Sequence, residues 1–204
     1  MRTAARWLIG LFALVGLATT VLALGFAWAG LSARPEPSAV ETALARAARQ
    51  VMIPRSARRM ENPFPTSPEV LASARAHWAD HCASCHGNDG KGGTAMGRNL
   101  YPKAPDMTAA ATQELADGEL FWIIENGVKL TGMPAWGTPA PDDDAESWEL
   151  VHFVRHLPAV AASELAEMER WNPVSRAELE VELAAERFLA GEDAPPSEPE
   201  HPHR

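Results

Sequence analysis

Trp78-Ala79-Asp80-His81-Cys82-Ala83-Ser84-Cys85-His86 decides how this chain is read. Its two cysteines are the only two in 204 residues, they stand three positions apart, and a histidine follows the second directly. Two thiols at that spacing on a helical turn can each add to one vinyl group of a haem. The next residue then lies under the iron and supplies an imidazole nitrogen. A thioredoxin-like cysteine pair would follow a strand in a βαβ unit, and no such pattern surrounds residues 82–85. A zinc site would need four ligands, and His77, His81 or His86 would have to complete it, with no second paired motif downstream.

Composition favours a helical protein and excludes several function classes. With 18 Lys+Arg against 27 Asp+Glu the net charge is −9, which makes the chain a poor candidate for binding nucleic acid, since phosphates need neutralising cations. Two cysteines exclude a disulfide-stapled scaffold. Alanine and leucine abound, β-branched runs are scarce and tyrosine occurs once, favouring helices over strands.

Charge and proline usage divide the chain into five stretches. In 1–31, Trp7 to Leu31 is a run of 25 residues without formal charge, long enough for a bilayer core of about 30 Å. Arg2 and Arg6 before the run hold the N-terminus in the cytoplasm and send the rest across. The rival is a signal peptide cleaved at Ala27-Trp28-Ala29, but a signal's apolar region is about 7–15 residues and this one is longer, so a retained anchor is favoured. Residues 32–67 read as an Arg- and Pro-rich tether, in which Ser38 and Glu41 form a capping box for a helix from Ser38 to Val51. Arginines 46, 49, 55, 58 and 59 could meet anionic lipid or an acidic partner; a solvated linker helix is the plain alternative. Residues 68–158 carry the chemistry. Residues 159–190 read as an acidic helical extension, with helix starts at Ser163-Glu164 and at a Ser175/Glu178 capping box. Residues 191–204 are rich in Pro and Glu and are expected to be disordered; His201 and His203 there are weak copper candidates.

Within 68–158, Ser67-Pro68 begins a helix with Pro at its first position. Gly118 to Asn126 forms another, ending at Gly127. Ser147 to Leu157 forms a last one, preceded by acids at 142–144 that suit its dipole and stopped by Pro158. Gly87 to Gly97 reads as a flexible loop. The iron's sixth ligand must come from elsewhere, and Met133 stands out in Leu130-Thr131-Gly132-Met133-Pro134-Ala135-Trp136-Gly137, where Gly132 allows close approach and Pro134 stiffens the loop. A thioether ligand favours Fe(II) relative to a second imidazole. His152 and His156 are the bis-His alternatives, Met107 is expected to pack against the haem, and Trp136 to cover its edge.

Together, Trp78-Ala-Asp-His-Cys-Ala-Ser-Cys-His-Gly-Asn-Asp-Gly90, Ala104-Pro105-Asp106-Met107, Asp117 through Gly127, Gly132-Met133-Pro134-Ala135-Trp136 and Trp148 through Leu157 resemble the class I monohaem c-type cytochromes of the membrane-tethered bacterial type. The resemblance implies an all-α cytochrome c fold around one covalent haem c, with the helix bearing Trp78 crossing the helix bearing Trp148, Val151 and Phe153. Ala74 replaces a glycine common at that crossing, which implies a slightly wider approach. It also implies that a proline carbonyl accepts from the His86 ring, with Pro105 first and Pro102 second.

The implied function is one-electron transfer by a haem ligated by His86 and Met133, with no catalytic residues. The carrier would lie on the periplasmic side of the cytoplasmic membrane, single-pass, between a dehydrogenase or quinol-oxidising donor and an oxidase or reductase acceptor. Alternatives are a haem c subunit of a larger membrane oxidoreductase, or a haem sensor or peroxidase in which Met133 dissociates. The acidic haem segment, six basic against thirteen acidic side chains over 62–158, implies basic, salt-sensitive docking partners.

Overall fold

The computed structural model describes residues 2–30, 32–138, 144–174 and 176–191. Among these there are helices and turns but no strand. The chain divides into two units, Met1–Glu36 and Pro37–Arg204.

Helix α1, Arg2–Ala29, forms the first unit. Its stretch Arg6–Gly25 is long and apolar enough to cross a membrane, and 20 residues at about 1.5 Å each match a hydrocarbon core. The two hydroxyls in it are satisfied inside the helix, Thr19 Oγ1 donating to Gly16 O at 2.9 Å and Thr20 Oγ1 to Gly16 O at 2.8 Å. A polar group in lipid has no water to turn to, so such internal bonds are required.

In the second unit, α2 (Ala39–Met52) starts at the expected capping box: Glu41 N donates to Ser38 Oγ, and Ser38 N to Glu41 Oε2. Helix α3, Pro68–His77, has Ser67 as N-cap, its side chain accepting from Val70 N. Short helices α4 (Ala83–His86), α5 (Ala95–Asn99) and α6 (Ala110–Gln113) follow. Then come α7 (Asp117–Asn126), α8 (Asp144–His156), α9 (Ala162–Met168) and α10 (Arg176–Leu189). The acids expected at 142 and 143, the side chain of Asp144, the Ser175/Glu178 box and the tail with His201 and His203 lie outside the described residues or side chains.

The core is the α3–α8 crossing extended onto α7. Ala74, Trp78, Val151, Phe153 and Val154 are all at most 3 % exposed. The Trp78 and Phe153 rings lie 5.5 Å apart, and Phe121 stacks on Trp148 at 4.1 Å. The small Ala74 side chain sits within this crossing, itself 1 % exposed. Arg155 then ties the end of α8 to the start of α7, donating to Asp117 Oδ1, Gln113 O and Leu115 O.

Two stretches differ from their sequence reading. The later part of the expected tether lies on the domain. Ile53 and Ala57 are buried, Arg58 pairs with Glu119, and Asn62 Nδ2 donates to Trp148 O. Gly118 makes this possible, because a Cβ there would lie 1.9 Å from Ala57 O. The extension also enters the core: Met168 of α9 is fully buried, Trp171 packs against the core, and Arg75 of α3 pairs with Glu164 and Glu167. An isolated reading of an alanine-rich acidic segment cannot see these partners, because one buried methionine decides them.

Candidate haem c site

The attachment motif is built by a change of helical pitch. Helix α3 passes into a π turn over Trp78–Cys82 and then into α4. A wider turn of this kind inserts an extra residue, a feature often found at functional sites. Three carbonyls of α4 find partners beyond the helix. Gly87 N donates to Ala83 O, Gly92 N to His86 O at 2.7 Å, and Thr94 Oγ1 to Cys85 O at 3.0 Å. Thr94 Oγ1 in turn accepts from Gly97 N, and a Cβ on Gly97 would meet Cys85 O at 2.2 Å. The Gly87–Gly97 segment is therefore a fitted cradle and not the flexible loop the glycines suggest. Gly90 and Gly92 take positive φ where Leu157 and Ala104 press against them.

Both thiols are unpaired and partly exposed, and Cys82 packs against the core. Burial, with Cys85 beside it, pushes the Cys82 thiol up to about 12, so it is protonated and apolar in character. Trp78 lies over the motif, its ring 5.7 Å from that of His86 and its Nε1 donating to Gly87 O. Burial pulls the His86 imidazole below its ordinary value, keeping it neutral as a ligand must be. His86 Nδ1 is buried and has no hydrogen-bond partner. The expected bond to the Pro105 carbonyl, or to Pro102, is thus not made. The segment around Pro105 is instead tied to the glycine cradle, Ala104 N donating to Gly97 O and Met107 N to Gly90 O. Met107 itself is half-buried against the core.

Met133 is held by a clasp on the end of α7. Val128 N donates to Met133 O, Trp136 N to Ile124 O and Gly137 N to Glu125 O. Met133 N donates to Thr131 Oγ1. Gly127, at φ 63°, lets the two strips of backbone touch: a Cβ there would be 2.5 Å from Pro134 C. A Cβ on Gly132 would strike the Leu100 side chain at 2.6 Å. Trp136 stands edge-on to His81 at 5.7 Å, so the methionine loop and the residue before Cys82 are neighbours.

The rival histidines are engaged elsewhere. His152 Nε2 donates to Phe64 O at 2.8 Å while its Nδ1 meets Thr66 Oγ1 at 2.8 Å, and His156 Nε2 faces Glu164. Among the described residues no group of three His, Cys, Asp or Glu could hold a bare metal ion. The donor set, two free thiols beside a neutral, half-buried imidazole whose buried Nδ1 is unpaired, therefore fits a porphyrin better than a polydentate cation site. Leu100 and His81 are site neighbours that periodicity did not single out. The N-capped α5 turn just before Leu100 is the nearest sequence signal.

Comparison with known proteins adds the decisive observation. The family described as cytochrome C oxidase, cbb3-type, subunit III matches residues 69–154. That span is a c-type cytochrome domain. This chain is also similar to the Cbb3-type cytochrome c oxidase subunit FixP of Rhizobium meliloti (strain 1021), 34 % identical over 94 residues. To the subunit of the same name from Sinorhizobium medicae (strain WSM419) it is 36 % identical over 94 residues. Each match covers 46 % of this chain and 29 % of the relative, so this chain aligns with less than a third of the curated proteins it resembles. The cytochrome domain here follows a helix of membrane-crossing length and has an all-α fold.

Proposed function

We propose that this chain is a membrane-tethered, one-electron carrier that feeds a membrane oxidase and performs no catalytic turnover of its own. One haem c is attached through Cys82 and Cys85 and ligated by His86 and Met133, on the periplasmic side. The single observation that carries this reading is the Trp136–His81 contact, which brings the Met133 loop beside the attachment motif. Haem supplies a one-electron Fe(III)/Fe(II) couple when bound. The chain's part is to keep His86 neutral, to present the Met133 thioether on a clasped loop and to keep water away with Trp78 and Trp136. Because the ligand loop is held by four hydrogen bonds, little rearrangement is needed between oxidation states. The acidic surface supports docking to a basic partner through weak, salt-sensitive encounters.

The names of the similar proteins favour a second reading, in which the chain is built permanently into such an oxidase. The test is direct. The mature protein, denatured and extracted with acidic solvent, should keep its colour, and Met133→Ala should lose the iron–thioether charge-transfer band of the oxidised state. A colourless polypeptide with both thiols free would overturn the reading. Co-purification with oxidase subunits through gel filtration would select the built-in subunit, and elution alone would select the free carrier. Rapid carbon monoxide binding by the untouched reduced protein would instead mark a sensor.

A further inference from the structure

Helix α2 is mounted the wrong way round for a soluble domain. An amphipathic helix normally turns its apolar stripe to the core. Here Thr42 and Arg49 are the half-buried residues of α2, the Arg49 Nε is buried, and its terminal nitrogen donates to Ala111 O at 3.3 Å. Glu41 accepts from Tyr101 Oη at 2.8 Å. The polar side thus faces the haem domain. Val40, Leu44, Ala47 and Val51, spaced four, three and four residues apart, form a continuous stripe that lies roughly half a turn of helix away from Arg49. Val40, Leu44 and Val51 are 68 %, 65 % and 84 % exposed, and no residue of α2 is buried.

We propose that α2 is an interfacial helix whose outward stripe beds into an anionic phospholipid surface and so lays the cytochrome domain on the membrane in one orientation. Three observations select lipid as the occupant. Only residues 30–38 separate α2 from α1 in sequence, so with α1 held in the membrane, as the proposed function has it, a bilayer is always within reach. Exposed Arg46, Arg55 and Arg59 belong to the one positive stretch outside α1, with six Arg against three Glu over 32–61. The remainder of the chain beyond it is acidic, so an anionic surface attracts this segment and repels the rest. Aliphatic stripe plus flanking arginine is the composition that holds a helix in the headgroup layer.

Full-length chain in nanodiscs, one chain per disc, tests this by hydrogen exchange of residues 39–52. In discs of phosphatidylglycerol with phosphatidylcholine, wild-type amides should exchange about tenfold more slowly than those of Leu44→Asp/Val51→Asp. The haem spectrum and helix content should stay the same, because the stripe is mostly exposed. Arg46→Gln/Arg55→Gln keeps the stripe and should lose the advantage of anionic over pure phosphatidylcholine discs. Equal exchange in wild type and the Asp variant overturns the proposal, as does equal protection of the wild type in both lipids. Protection seen only with two chains per disc overturns it in favour of self-association.

Discussion

Gly127→Ala is the sharpest probe of how this domain holds its methionine. Gly127 ends α7 at φ 63° and ψ −170°, a region that costs an L-residue about 1–3 kcal/mol. Its new Cβ would stand 2.5 Å from Pro134 C and 2.6 Å from Ala135 N. These are backbone atoms, which cannot swing aside as a side chain can. Moving the Pro134 carbon from 2.5 Å to ordinary contact near 3.4 Å takes a shift of about 0.9 Å. Such overpacking adds about 1–3 kcal/mol. The sum, about 2–6 kcal/mol, is a large share of the 5–15 kcal/mol typical of a domain. The shift acts on the residue after Met133 and strains the Val128–Met133 and Trp136–Ile124 bonds. Gly93→Ala is the control, since a Cβ there meets nothing within 4 Å and its φ is ordinary. Guanidinium unfolding of the detergent-solubilised holoprotein measures the stability, and the iron–thioether band of the oxidised protein reports the loop. Gly127→Ala should lose stability by the stated amount and weaken the band, with Gly93→Ala within about 0.5 kcal/mol of wild type. If the two variants unfold together and both keep the band, the clasp does not hold Met133 and the reasoning fails.

Other outcomes follow from the same contacts. Met133→His should lower the reduction potential, read by spectroelectrochemical titration, because an imidazole favours Fe(III) relative to a thioether. Met168→Ala should cost about 2–5 kcal/mol in denaturant melts, as expected for a fully buried side chain; a loss under about 0.5 kcal/mol would show that the extension is not part of the core. Trp78→Phe should cost about 1–2 kcal/mol through the lost bond to Gly87 O while leaving the haem attached, checked by pyridine haemochrome absorbance. Burial alone would raise the Glu164 carboxyl, but hydrogen bonds from Ala161 N, His156 and Arg75 outweigh it and hold it below 4.5. The unfolded chain then binds the extra proton. The stabilisation is therefore complete above about pH 4.5 and is lost as pH falls through the lowered folded value. Glu164→Gln should flatten that acid limb in melts across pH, and an unchanged limb would place the effect on another group.

By itself the sequence determined the elements with local causes. A run of apolar residues at 7–31 dictated α1, Ser38/Glu41 and Ser67-Pro68 dictated two helix starts, and the Cys82/Cys85/His86 spacing dictated the chemistry, because caps, spans and paired thiols act over a few bonds. Tertiary structure alone decided what depends on distant partners. It buried Ile53 and set Ala57 against α7, drew Met168 into the core, turned the glycine stretch into a cradle and turned Arg49 of α2 inward. It also left His86 Nδ1 without the proline carbonyl expected for it. The physical reason is that a hydrogen bond or a buried side chain between residues 60 to 90 positions apart carries no periodic trace in the chain; only the packed fold brings its two halves within reach.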